Sequence, residues 1–74
     1  MYDVDILAGQ TLTGAELDVV GMLALGLSIQ EVAHWRDRSI HTVRRQAQQA
    51  MRKLEVRNRV ALVTWWWRTK YGEG

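Results

Sequence analysis

Residues 39–59 read SIHTVRRQAQQAMRKLEVRNR, and this stretch decides the fold. Placed at about 100° per residue, the step of an α-helix, Ile40, Val43, Ala47, Ala50, Met51 and Leu54 fall on one apolar stripe. The opposite side carries His41, Arg45, Gln48, Gln49 and Arg52, with Thr42 and Arg44 at its edges. Arginine and glutamine can each make paired hydrogen bonds to base edges, and arginine also suits phosphate. A run of charges is most often only a solvated helix face. Here the amide-rich, arginine-rich composition, and a position after two short helical segments, predict a helix that reads DNA.

The distribution of charge supports this better than its total. The net charge of the 74 residues is only +2. Residues 1–35 contain five acidic residues and no Lys or Arg, giving −5; residues 36–74 contain all ten basic residues against three acidic ones, giving +7. A chain polarised in this way has one half suited to a polyanion and one half that repels it, which orients docking. A membrane surface is the rival anion. However, the basic helix has no Trp or Phe on its apolar side, so its stripe reads as core and no membrane partner is expected.

Working outward, start and stop signals divide the chain. Thr13-Gly14-Ala15-Glu16 and Ser28-Ile29-Gln30-Glu31 are capping boxes that open two helices, the first closed by Gly26 and the second ending near Arg36. Ser39 caps the third helix, which ends near Leu54; Asn58 caps a fourth running to about Lys70. Residues 1–11 form a short extension, residues 12–71 one domain, and residues 72–74 a disordered tail. No segment has a strand pattern and there is no proline. The expected fold is all-α with four helices, the second and third spaced as a helix-turn-helix.

Composition excludes other classes. A hydrophobic content of 47% is enough for a small core and argues against a disordered chain. Without cysteine there is neither a disulfide framework nor a thiolate zinc site, and a reducing, cytoplasmic, nucleoid-associated setting fits. His34 and His41 have no third ligand at a metal spacing, and Ser39 and Thr42 have no base, so neither a metal centre nor an enzyme is expected. No cofactor is implied.

The run from Leu12 to Val63 closely resembles the LuxR-type, or GerE-like, helix-turn-helix domain. The matching positions are Leu12-Thr13, Glu16, Val19, Ala24, Gly26, Ser28, Glu31-Val32-Ala33, Ser39, Thr42-Val43-Arg44, Lys53-Leu54, Val56 and Arg59. The resemblance covers about two-thirds of the chain in register without gaps. It implies a transcription regulator that binds double-stranded DNA through the third helix and forms a homodimer through the fourth. With about ten residues ahead of it, the domain is expected to stand alone. The chain departs from the family pattern at several positions. Arg36 and Arg38 stand where apolar residues are usual, Gln46 replaces a histidine, Glu55 a glycine, and Ala15 an arginine. Glu55 is therefore expected to take a positive φ at the end of the third helix.

These readings name the candidate residues. Arg44, Arg45 and Gln48, on the N-terminal half of the third helix, are expected to read bases. Arg38, Thr42, Gln49, Arg52, Lys53 and Arg59 are expected at phosphates, with Ser28 a weaker candidate at a helix start. Arg36 is open between snorkelling and a phosphate contact. Leu17, Gly21 and Leu25 align on the first helix as a possible contact surface. Trp65-Trp66-Trp67 cannot all face one core. Leu62, Val63 and Trp66 are expected to meet the third helix. Trp65, beside Ala61 and beyond the core, and Trp67, on the flank near Val60, are expected at an interface. Trp35 is open between core filler and a partner hook, with core filler favoured. The rival reading is a protein-binding module, similar to the fourth region of a sigma factor, that engages RNA polymerase or another transcription protein through the tryptophan and leucine faces.

Overall fold

A computed structural model of the chain describes residues 12–71. The extension at residues 1–11 and the tail at residues 72–74 lie outside them. Four helices follow one another: α1 Gly14–Ala24, α2 Ile29–Arg36, α3 Ile40–Leu54 and α4 Arg59–Lys70. Among the described residues there is no strand. All four starts are chemically fixed. The Thr13 hydroxyl accepts from the Glu16 N–H at 3.1 Å while the Glu16 carboxylate accepts from the Thr13 N–H at 2.9 Å. Ser28 and Glu31 repeat the exchange at 3.1 and 2.8 Å. Ser39 accepts from the Thr42 N–H at 3.0 Å, and Asn58 from the Ala61 N–H at 2.8 Å. Each such cap is worth about 1 kcal/mol.

The ends of the first three helices are closed by one device. At α1 the Gly26 N–H donates to the Leu23 carbonyl at 3.0 Å and the Leu27 N–H to the Met22 carbonyl at 3.2 Å, with Gly26 at φ 101°. This paired pattern satisfies carbonyls that the helix leaves open. At α2 and α3 the left-handed residue is not glycine but Asp37 (φ 55°) and Glu55 (φ 58°). The closing bonds, Arg38 N–H to Ala33 and Val56 N–H to Met51, are both 3.0 Å. Glu55 thus takes the positive φ its position called for, and its side chain bears the Cβ crowding a glycine would avoid.

The core gathers Val19, Val20 and Leu23 of α1, Val32 and Ala33 of α2, Val43, Ala47 and Ala50 of α3, and Leu62 and Trp66 of α4. α1 is the hub: it packs on the other three helices, while α2 packs on α3. Three expectations change here. The Leu62–Trp66 face of α4 docks chiefly on α1 rather than on α3. Gly21 eases this approach, because a Cβ there would stand 3.1 Å from two ring atoms of Trp66, tight enough that the ring would have to give way slightly. Trp65, expected beyond the core, is half-buried and packed against it. Trp35, expected in the core, is 71% exposed, since the α2 face that carries it meets no other helix and its ring rests edge-on to His34.

Candidate nucleic-acid interface

Burial of Val43, Ala47 and Ala50 fixes the roll of α3 and turns its other side outward. His41, Arg44, Arg45, Gln48, Gln49 and Arg52 are all exposed. From His41 to Arg52 the face runs about 17 Å at 1.5 Å per residue, a length that crosses a major groove about 12 Å wide. Among the described residues no hydrogen bond or ion pair engages the guanidinium groups of Arg44, Arg45 or Arg52. Thr42, at the edge, is half-buried and its hydroxyl accepts from Ser39 at 3.0 Å. Arg38 is exposed just ahead of α3, and its guanidinium makes a single 3.4 Å contact, to the Asp37 carbonyl, among the described residues.

Other basic residues are spent inside the fold. The Lys53 ammonium lies 2.8 Å from the Glu16 carboxylate on α1. The Arg59 guanidinium donates to the Leu23 carbonyl at 3.2 Å and to that of Leu27, tying the start of α4 to the end of α1. Both were expected at phosphates, and both have their charged groups drawn to the α1 side. Arg36, left open by sequence, pairs with Asp18 at 2.7 Å. Ser28 is exposed, but the Glu31 carboxylate already occupies its N–H, which puts a negative charge where a phosphate would sit. Arg57, which sequence reasoning passed over in favour of Arg59, is exposed and takes no partner among the described residues. The sequence shows three basic residues in Lys53–Arg59 but not which of them points inward.

Glu16 is the buried charged residue of the described fold, 3% exposed. Burial pushes its carboxyl upward. The Lys53 ammonium and the Thr13 N–H more than offset this and hold it below the ordinary 4.5. One carboxylate thereby caps α1 and fastens α3 to it.

The expected interface residues separate. Ala61, Trp65, Trp67 and Leu17 are half-buried, whereas Leu25 is 69% exposed. The Trp67 indole N–H donates to the Ala24 carbonyl at 3.3 Å, and its ring stacks on Tyr71 at 5.5 Å. On one side of this contact a groove of about 390 Å³ is lined by Leu17, Gly21, Leu25, Trp66, Trp67 and Tyr71, among others. On the other a hollow of about 360 Å³ is bordered by Val60, Val63 and Thr64 of α4 and by the end of α1. Val60, 75% exposed, is the apolar residue that α4 leaves bare at this hollow.

Among the described residues no group of three or more His, Asp or Glu side chains is placed to hold a metal, and no helix is long and apolar enough to cross a membrane. Two helices joined by a tight turn, the second presenting unpaired arginines on a solvent face, define a helix-turn-helix DNA-binding domain. Residues 10–66 match the family model described as bacterial regulatory proteins, luxR family, and the chain belongs to that family. It is a family of DNA-binding regulators of transcription rather than of enzymes. No curated protein and no solved structure matches the chain.

Proposed function

We propose that the protein binds double-stranded DNA sequence-specifically, with α3 in the major groove, as the homodimeric regulator of a promoter. Arg44, Arg45 and Gln48 read base edges. Arg38, Thr42, Gln49 and Arg52 hold phosphates. The observation that carries this reading is the outer face of α3, whose three guanidinium groups have no intramolecular partner. An arginine without a partner in the fold breaks no intramolecular bond to reach a base, and two of its N–H groups can pair with one guanine. Lys53 and Arg59 leave the phosphate set, because a phosphate contact would break a bond that holds the helices together.

The dimer forms on α4, through the flank of Val60, Val63 and Thr64 beside the end of α1. This moves the contact away from Ala61 and Trp65, both half-buried, of which Trp65 already packs against the core. A twofold axis there gives two α3 helices for half-sites about one helical turn apart.

The test is selection of a binding site from random duplexes, followed by titration of selected and scrambled duplexes at several salt concentrations. A clear preference for the selected duplex, with protection of two half-sites, supports the reading. Equal affinity for both duplexes rules out base reading by α3.

A further inference from the structure

The outer row of α3 carries two side chains that ask different things of a base. At about 100° per residue, Arg45 lies within about 15° of the direction opposite Val43, Ala47 and Ala50, and Gln48 within about 50°. Both are exposed, and neither side chain bonds to another described residue. The glutamines of α3 are not equivalent. The Gln46 amide oxygen is buried, so that side chain is turned inward. Gln49 lies on the flank of Thr42 and Lys53, where the Lys53 ammonium is drawn to Glu16 of α1 at 2.8 Å. Gln48 lies on the other flank, beside Arg44 and away from that tie.

An arginine offers two parallel N–H donors, which match the O6 and N7 acceptors of guanine. Adenine would set its N6 amino donor against one of them. A glutamine amide offers one acceptor and one donor, which match the N6 amino group and N7 of adenine. Guanine would set its O6 against the amide oxygen. Arg45 and Gln48 stand three positions apart on one face, a rise of about 4.5 Å, closer to one base-pair step of about 3.4 Å than to two. Resting on the reading of α3 as the base-reading helix, we propose that each half-site holds a G·C pair directly beside an A·T pair. Arg45 pairs with the guanine and Gln48 with the adenine.

The experiment uses the full chain and the duplex selected from random sequence. Each of the two base pairs is changed in turn, and the guanine is also replaced by 7-deazaguanine, which lacks the N7 acceptor. Titrations at one salt concentration compare the native chain with Arg45→Ala, Gln48→Ala and Gln49→Ala. Changing the A·T pair should weaken native binding about 5–150-fold and leave Gln48→Ala indifferent to the change. The 7-deazaguanine should weaken the native chain and leave Arg45→Ala unaffected. Gln49→Ala should keep the native preference at both pairs, and Gln48→Arg should exchange A·T for G·C at its own pair. A selected site without such a step, or an A·T preference that survives Gln48→Ala, overturns the proposal and leaves base reading by α3 in place. Equal affinity for selected and scrambled duplexes would instead remove the base reading on which the proposal rests, and the proposal with it.

Discussion

At the residue scale, the deciding distinction is between arginines and lysines that the fold consumes and those it leaves free. Arg45 points straight away from the Val43–Ala47–Ala50 core line. Arg45→Ala is therefore expected to cost about 1–3 kcal/mol on a selected duplex and much less on random DNA, measured by titration of both. Equal losses would reduce Arg45 to a phosphate contact. Lys53 and Arg52 are neighbours with opposite expectations. Arg52→Ala should flatten the plot of log affinity against log salt by about 0.9, the effect of one phosphate contact on B-form DNA. Lys53→Met should leave that slope unchanged and instead lower stability by about 1–3 kcal/mol, because it strands the buried Glu16 carboxylate. The upper part of that range is tempered by the third of Lys53 that water still reaches. Denaturant melts of the two variants, set beside their salt plots, separate the roles.

At the scale of the element, the ends of α2 and α3 both rest on left-handed residues that are not glycine. Asp37 tolerates that conformation, since a short polar side chain is the usual exception, whereas Glu55 does not share this advantage. Glu55→Gly should raise stability by about 0.5–1 kcal/mol, the relief of Cβ crowding less the added entropy of glycine in the unfolded chain. Gly26→Ala, at φ 101°, should lower it by about 1 kcal/mol or more. Thermal melts of the pair give both signs, and a stabilised Gly26→Ala would contradict the closure described for α1. The packing of α4 has its own element-scale cause. Gly21 leaves room on α1 for the close approach of the Trp66 ring, and α4 packs chiefly on that helix.

Over the whole molecule, two charge effects set the conditions of activity. Glu16 is held below its ordinary value of 4.5. A carboxyl that is more acidic in the folded than in the unfolded state contributes stability that is complete above about 4.5 and is lost as pH falls through its lower, folded value. Acid unfolding should therefore begin below pH 4.5, and Glu16→Gln should remove that part of the pH dependence, as measured by melts from pH 7 to pH 3. The second effect concerns the dimer. In the proposed dimer two α4 helices would bring only cations to their contact, so salt that screens them should tighten self-association of the free protein while it weakens DNA binding. Sedimentation at low and high salt tests this, with Val60→Asp expected to stay monomeric throughout. A dimer that dissociates as salt rises would place the contact elsewhere.

The sequence by itself determined the four helices and their boundaries, because their signals are local. Thr13, Ser28, Ser39 and Asn58 cap the N–H groups that follow them, Gly26 and Glu55 end what precedes them, and the period of Val43, Ala47 and Ala50 sets which side of α3 is dry. The exposed face of His41, Arg44, Arg45, Gln48, Gln49 and Arg52 follows from that same period. Only the tertiary structure decided which charges remain for DNA. Lys53 meets Glu16 across 37 positions and Arg59 meets Leu23 across 36, pairings that no spacing along the chain announces. The fates of Trp35, Trp65 and Trp66 were also decided there. A helical wheel gives directions around one axis, but burial depends on where the next helix lies. Gly21 lets the Trp66 ring approach α1 closely, but the direction of α4 comes from the whole of its packing on that helix.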